Sequence, residues 1–192
     1  SKSNANVHRA VHTLAGEATE GYESCRSKLK QRYNADRAIL TSGTTEAINL
    51  VAHAWGRAKL QSGDVIVLTE MEHHSDIVPW QMLSEERGVE LRYVPVSQDF
   101  TLDMEAFEHA LDGAALVCVV HTSNVLGVRN PLEEIIEKSQ AVGARVLIDA
   151  AQGLYGMMGD NDNLPEWVQS KITKATDYID SVRDYMKSEK DD

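Results

Sequence analysis

The chain has 192 residues, 42% of them hydrophobic, and a formal net charge of −11. The hydrophobic fraction is enough for a globular core, and the negative charge argues against binding to nucleic acid or anionic lipid, which call for basic patches. No stretch reaches the roughly 18 apolar residues of a membrane helix, and the two cysteines have no disulfide or metal-binding spacing. The sequence therefore predicts a cytoplasmic protein that binds neither nucleic acid nor membranes.

The predicted elements begin with a helix and continue as an alternation of strands and helices. Over the first thirty or so residues, apolar side chains recur at helical intervals: Val7, Val11, Leu14, Ala18, Tyr22, Cys25 and Leu29. Apolar runs typical of five short strands follow at 38–41, 65–68, 89–94, 115–120 and 145–148. Helical patterns separate them at 44–57, 76–87, 103–111 and 131–141. The alternation predicts an α/β fold, a mostly parallel sheet with helices on both faces.

The sequence changes character after Gly153. We predict one domain over residues 1–153, a polar linker over 154–163, an amphipathic helix over 164–187 and a charged tail over 188–192. The apolar positions of that C-terminal helix step by three or four residues: Leu164, Val168, Ile172, Ala175, Ile179, Val182 and Met186.

Polar residues follow four of the predicted strands at the same end. They lie at Ser42–Thr45, Glu70–His74, His121–Asn124 and Asp149–Gln152. In parallel sheets, ligands bind beyond the carboxyl ends of the strands. The sequence therefore predicts a binding site at this end of the sheet.

Each part of this site has more than one interpretation. The segment Ser42–Glu46 can hold a phosphate at a helix N-terminus, or it is an ordinary helix cap. His73 can stack on a flat cofactor, bind a metal or decorate a loop, and metal is the weakest of the three because a metal needs three or four converging ligands. Asp149 pairs with a cation or a protonated ring nitrogen, or it caps a helix.

Four segments together resemble the class V aminotransferase family, and most closely the Suf-type group of its cysteine-desulfurase branch. They are Thr44–Val51, Glu72–Gln81, Ser123–Gly127 and Asp149–Gln152, in the family's order and spacing. The segment Asn4–Arg9 also resembles the part of that group beside the substrate pocket.

The resemblance implies pyridoxal 5'-phosphate as cofactor and an amino acid, with cysteine favoured, as substrate. The matching residues bind the phosphate (Thr44 and Thr45), stack on the pyridine ring (His73), pair with the ring nitrogen (Asp149), and lie on the phenolic-oxygen side or near the substrate (Gln152 and Asn124). No metal ligand is implied.

The sequence departs from the family after Gln152. The family's Ser-Gly-His-Lys motif, whose lysine links covalently to the cofactor, is absent, and we identify no catalytic residue in its place. Lys171 and Lys174 fall on the exposed side of the predicted helix and stay protonated. In the family, the strand equivalent to 38–41 pairs with a strand that this sequence lacks, so that segment is expected to have no partner.

Three functions remain open. The first is a truncated cysteine-desulfurase-like domain, inactive alone, that binds its cofactor weakly and noncovalently at best. The second is a non-enzymatic binding or oligomerisation module that presents the helix 164–187 to a partner, including a second copy in a homodimer. The third, which the missing motif disfavours, is an enzyme completed by a second polypeptide that carries the lysine.

Overall fold

The computed structural model describes residues 13–150. Within them, residues 13–41 belong to one compact unit and residues 42–150 to another. The first unit contains helix α1 (Thr13–Arg32), which confirms the N-terminal helical prediction over those residues. Arg26 on α1 donates from Nε to the carbonyl of Ala38 at 3.0 Å and forms an ion pair with Glu23 at 3.1 Å. These contacts hold the segment after α1 against the helix.

The second unit is built on a four-stranded parallel sheet in the order β2-β1-β3-β4. The strands are β1 (Val65–Thr69), β2 (Glu90–Val94), β3 (Ala114–Val120) and β4 (Arg145–Asp149). All five residues of β1 are buried, and so are six of the seven in β3, because these two strands lie at the centre of the sheet. The predicted parallel α/β architecture is confirmed, and its central strands are the most apolar ones.

The helices cover both faces of the sheet, as predicted. They are α2 (Thr44–Leu50), which continues through a π-helical segment (Val51–Gly56) into α3 (Arg57–Lys59), and then α4 (Val78–Arg87), α5 (Met104–Ala110) and α6 (Leu132–Ala141). Successive side chains of a strand point to opposite faces. Val65 and Val67 of β1 therefore join the cluster that contains Phe107 of α5, whereas Ile66 and Leu68 join another. That second cluster contains Trp80 of α4 and Ile48 of α2.

One predicted strand is absent. Residues 38–41 form no strand in the part of the chain that the structure describes, so the prediction of five strands was wrong there. Ile39 is 69% exposed, in contrast to the fully buried residues of β1. A short apolar run becomes a strand only when a neighbouring strand binds its backbone and its side chains are buried, and neither condition can be inferred from the run itself.

Gly56 allows the helical segment after α2 to approach α4 closely. A Cβ atom at this position would lie 2.9 Å from Leu83 Cδ2 and 3.4 Å from Cζ3 of Trp80. Distances this short leave no room for a side chain. The absence of a side chain therefore sets how closely the segment packs on α4 over one face of the sheet.

The predicted linker 154–163, the helix 164–187, the tail 188–192 and the segment Asn4–Arg9 lie outside the described residues and stay predictions. Among the helices within residues 13–150, none has the length and apolar character needed to span a bilayer.

Candidate cofactor site

Three strand ends meet at one edge of the sheet. Val120, the last residue of β3, pairs in register with Asp149, the last residue of β4, and the N–H of His121 donates to the carbonyl of Asp149 at 2.7 Å. On the other side, Glu72 follows β1 and its Oε1 accepts a hydrogen bond from the N–H of Val120 at 2.8 Å. These bonds bring the segments after β1, β3 and β4 together, as the sequence predicts for polar residues at the carboxyl ends of parallel strands.

His73 follows Glu72 and is exposed at this edge. It caps the 3₁₀ turn His74–Asp76, because its Nδ1 accepts from the N–H of Ser75 at 3.2 Å. The Ser75 hydroxyl lies 2.8 Å from the same nitrogen. Nδ1 therefore acts as an acceptor, and a neutral ring carries its proton on Nε2. The ring meets His74 edge to face, with centroids 6.1 Å apart. This arrangement orients the imidazole while leaving it accessible to a flat ligand.

Thr44 and Thr45 begin helix α2, with Gly43 as the N-cap residue. No side chain caps the helix. Glu46 instead reaches back, and its Oε2 accepts from the N–H of Ser42 at 2.6 Å and from the Ser42 hydroxyl. Thr44 is half-buried and Thr45 is exposed. A carboxylate is favourable at the positive end of a helix, so this terminus already attracts an anion from within the chain.

Helix α2 packs against the 3₁₀ turn His74–Asp76. The turn is capped by His73, so the helix that carries Thr44 and Thr45 contacts the segment that carries the candidate stacking residue. The structure thus brings the phosphate-side and ring-side candidates into one neighbourhood.

Asn124 lies in a tight turn after β3. Gly127 donates its N–H to the carbonyl of Ser123 at 2.9 Å, and the Ser123 hydroxyl accepts from the N–H of Leu126 at 3.2 Å. Gly127 has φ +67°, a conformation that favours glycine. Asn124 is exposed within this turn. Gln152, the remaining candidate, lies outside the described residues.

Asp149 is half-buried at the end of β4. Its negative charge contributes to raising the pKa values of Glu72 and Asp76. Across residues 13–150, no group of three or more His, Cys, Asp or Glu side chains is arranged to hold a metal ion.

The sequence does not predict the roles of two residues of the site, Glu72 and Asp76. Its motifs indicate only that Glu72 precedes His73 and that a helical pattern begins at Asp76. In the structure Glu72 is 7% exposed and Asp76 is fully buried. Glu72 Oε1 accepts from the Thr69 hydroxyl at 2.6 Å, and Asp76 Oδ1 accepts from Trp80 Nε1 at 2.9 Å. The signal in the sequence was the spacing, with a donor three residues before Glu72 and another four residues after Asp76.

Burial is the main cause of the raised pKa values of both groups. It raises the pKa of Glu72 to about 8 and that of Asp76 to about 7. The hydrogen bonds from Thr69, Val120 and Trp80 oppose this rise because they stabilise the charged forms. At neutral pH these two carboxyl groups retain protonation that an exposed acid would have lost.

Comparison with known proteins agrees with the family predicted from the motifs. The family model for class V aminotransferases matches residues 1–165. A cysteine desulfurase from Enterobacter sp. (strain 638) is 48% identical over 154 residues, which are 78% of this chain and 38% of that protein.

Solved structures agree with the fold. The apo cysteine desulfurase from Thermococcus onnurineus NA1 superposes with a TM-score of 0.70 at 39% identity over 76% of this chain and 37% of its own. A cysteine desulfurase from Escherichia coli gives 0.66 at 33% identity, over 78% of this chain and 38% of its own. The chain thus spans less than two fifths of the length of these relatives. On the family match over residues 1–165 and these similarities, the chain belongs to the class V aminotransferase family.

Proposed function

We propose that this chain supplies part of the pyridoxal 5'-phosphate site of a cysteine-desulfurase-like protein, with cysteine as the substrate of the whole protein. The observation that carries the proposal is the meeting of His73, Asp149 and the Asn124 turn at the carboxyl edge of a parallel sheet. The cystine C-S lyase C-DES has the same fold; one solved structure of it carries glycine covalently linked to its pyridoxal phosphate cofactor, and a second is a complex with its reaction product, cysteine persulfide. When bound, the cofactor withdraws electrons from an amino acid.

The residues present fit the flat, anionic shape of that cofactor. His73 offers an oriented imidazole for stacking, and Asp149 offers a half-buried carboxylate for a protonated ring nitrogen. Gln152 and Asn124 are assigned to the phenolic-oxygen side and to the substrate by the family pattern. Each of these residues binds or orients, and none acts as a nucleophile.

The phosphate is assigned to Thr44, Thr45 and the backbone at the start of α2. The carboxylate of Glu46, which accepts from the N–H and the hydroxyl of Ser42 just before α2, repels a phosphate dianion at this terminus. This repulsion lowers affinity. It is one reason to expect weak binding.

We further propose that the 192 residues alone bind the cofactor noncovalently and do not convert cysteine to alanine. The sequence contains no Ser-Gly-His-Lys motif. Lys138, a lysine within the described residues, lies on α6 and pairs with Glu108 at 2.6 Å and Glu134 at 3.5 Å. Those carboxylates raise its pKa, so its amine is protonated and not nucleophilic.

The test compares two ligands and two single variants. Thr45→Val removes a hydroxyl on the phosphate side and should weaken binding of pyridoxal phosphate by roughly tenfold, while leaving the binding of pyridoxal, which has no phosphate, unchanged. His73→Ala should weaken binding of both ligands because it removes the stacking ring. Quenching of tryptophan fluorescence measures both affinities.

The matched control is His109→Ala, since His109 is exposed in the last turn of α5, near the amino end of β3. Equal losses with this control, or a Thr45→Val effect on pyridoxal, would contradict the assignment. Borohydride treatment followed by intact-mass measurement should leave no adduct, and cysteine should release no alanine. A stable adduct on a lysine would show covalent binding instead.

A second candidate function rests on the sequence pattern of residues 164–187. We propose as the alternative that this helix associates with a partner, including a second copy of the chain in a homodimer, without enzymatic activity.

The location proposed for the protein is the cytoplasm. Both cysteines, Cys25 and Cys118, are buried thiols outside any disulfide, which is compatible with a reducing compartment.

A further inference from the structure

Two buried carboxyl groups beside the site each have one oxygen without a donor. Glu72 Oε1 accepts from Thr69 and Val120, and Asp76 Oδ1 accepts from Trp80. Glu72 Oε2 and Asp76 Oδ2 are fully buried and have no hydrogen-bond partner within residues 13–150. Leaving two such oxygens unsatisfied in the interior is costly. Protonation of a carboxyl group reduces this cost, because it removes the charge and supplies a donor.

The charge of Asp76 contributes to raising the pKa of Glu72, as expected for two neighbouring acids. Ionised carboxylates contain only acceptor atoms, so a hydrogen bond between two of them requires a proton on one. Glu72 and Asp76 are four residues apart: Glu72 directly precedes His73, which caps the turn His74–Asp76, and Asp76 is the last residue of that turn. A single proton between their remaining oxygens satisfies both groups.

We propose that Glu72 and Asp76 share one proton at neutral pH, and that this acid pair positions the ends of β1 and β3 around the cofactor site. The cofactor is that of the proposed function, whereas the shared proton does not depend on that function. The pair affects the site by fixing the position of two strand ends. Glu72 holds Val120 with its other oxygen, and His73 and the Asn124 turn follow the two strand ends that this bond joins.

The charges that surround the acid pair favour retention of the proton. Asp149 of β4 raises both pKa values, and among the described residues no basic side chain lowers them. Cys118 of β3 is buried close by, and its own pKa is raised mainly by burial and further by Asp76 and Glu72. Helix α2 also packs against the turn, and its acidic side chain, Glu46, bonds to Ser42.

A second ionisation would place two negative charges side by side in a buried space that already faces Asp149. Repulsion would then separate the carboxyl groups and pull Glu72 away from the N–H of Val120. Deprotonation should therefore loosen the strand ends. This gives the acid pair an effect on ligand binding as well as on stability.

The sign of the pH dependence follows from the raised pKa values. An unfolded chain loses both carboxyl protons above about pH 4. The folded pair, with pKa values raised to about 8 for Glu72 and about 7 for Asp76, gives up its last proton only near the higher of these values. The stability contributed by the pair is therefore complete at low pH, and it declines as the pH rises from the unfolded pKa values through the raised ones. The usual carboxylate, with a lowered pKa, shows the opposite trend.

The experiment follows thermal unfolding of the full chain by circular dichroism from pH 6 to pH 9. The wild-type Tm should fall over this range. In Asp76→Asn, an amide N–H replaces the shared proton, and the fall should be smaller by about 3 °C or more. Glu72→Gln should flatten the profile in the same way. The control Asp99→Asn should retain the wild-type slope, because Asp99 is exposed and its pKa is lowered by hydrogen bonds from Thr101.

A measurement on the wild-type chain covers the case in which the variants fail to fold. Infrared spectra of protein labelled with ¹³C in its Asp and Glu carboxyl groups should contain a protonated carboxyl band at pH 7 that disappears by pH 9. Absence of that band at pH 7, or parallel Tm profiles for wild type, Asp76→Asn and Asp99→Asn, would overturn the shared proton.

The positioning role has its own readout. Affinity for pyridoxal phosphate should fall more steeply from pH 6 to pH 9 in the wild type than in Asp76→Asn. The ratio of the two affinities at each pH cancels the effect of the ligand's own titration. Equal slopes, alongside the expected stability profile, would overturn the positioning role. The stability and infrared measurements need no cofactor, so their failure counts against the acid pair and leaves the proposed function standing.

Discussion

The backbone N–H and carbonyl of Val120 are each bound by a side chain. Its N–H donates to Glu72 Oε1 at 2.8 Å, and its carbonyl accepts from Asn130 Nδ2 at 2.7 Å. Asn130 is 5% exposed, and its own N–H donates to the carbonyl of His121. The end of β3 is thus held by residues from two different loops. The position of the Asn124 turn depends on these few buried bonds.

Asn130→Ala should destabilise the fold by about 1–3 kcal/mol, because the carbonyl of Val120 loses its buried donor. Asn49→Ala is the matched control, since Asn49 Nδ2 also donates to a carbonyl, that of Thr45 at 2.8 Å, but in an exposed position. The control should stay within about 0.5 kcal/mol of wild type. Urea unfolding measures both, and equal losses would mean that burial of the Val120 carbonyl contributes nothing.

The helices and strands illustrate which elements a local pattern can predict. Helix α6 (Leu132–Ala141) and strand β3 (Ala114–Val120) lie where the apolar spacing indicates, because an amphipathic period or a continuous apolar run is a property of neighbouring residues. The π-helical segment Val51–Gly56 was predicted only as ordinary helix. Its Gly56 lies close to Leu83 and Trp80 of α4, residues that the helical period does not reveal.

Gly56→Ala should destabilise the fold by about 1–3 kcal/mol, since the new methyl group would overlap Cδ2 of Leu83, which must shift against its neighbours. The same substitution at Gly21, inside α1, meets no atom within 4 Å and should stabilise the helix by about 0.5–1 kcal/mol. Thermal or urea unfolding of the two variants should thus shift in opposite directions. A stabilising Gly56→Ala would show that α4 moves aside at little cost.

The whole chain includes residues beyond the described part that matter to the alternative function. The pattern of residues 164–187 predicts one apolar side, and an isolated helix with such a side is marginal in water without packing. Association of this segment, with the domain or with another copy, is the expected outcome. The charge of −11 disfavours nucleic acid as the partner.

Ile172→Asp combined with Ile179→Asp should lower the Tm or the mass measured by light scattering, because two charges enter the apolar side. Gln169→Asp combined with Thr176→Asp adds the same charge at the same spacing on polar positions and should change neither. An unchanged Tm and mass in the first variant would mean that the segment makes no stabilising contact.

Local patterns in the sequence were sufficient for the α/β class, the four strands that formed, their helices and the edge where polar residues meet. These features depend on neighbours along the chain and on the rule that parallel strands share one carboxyl edge. Motifs such as Glu72–Gln81 added the family. The bond between Glu72 and Val120, 48 residues apart, required the folded chain. It depends on which distant atoms become neighbours, and so do the raised pKa values of Glu72 and Asp76, since burial among those atoms is their main cause.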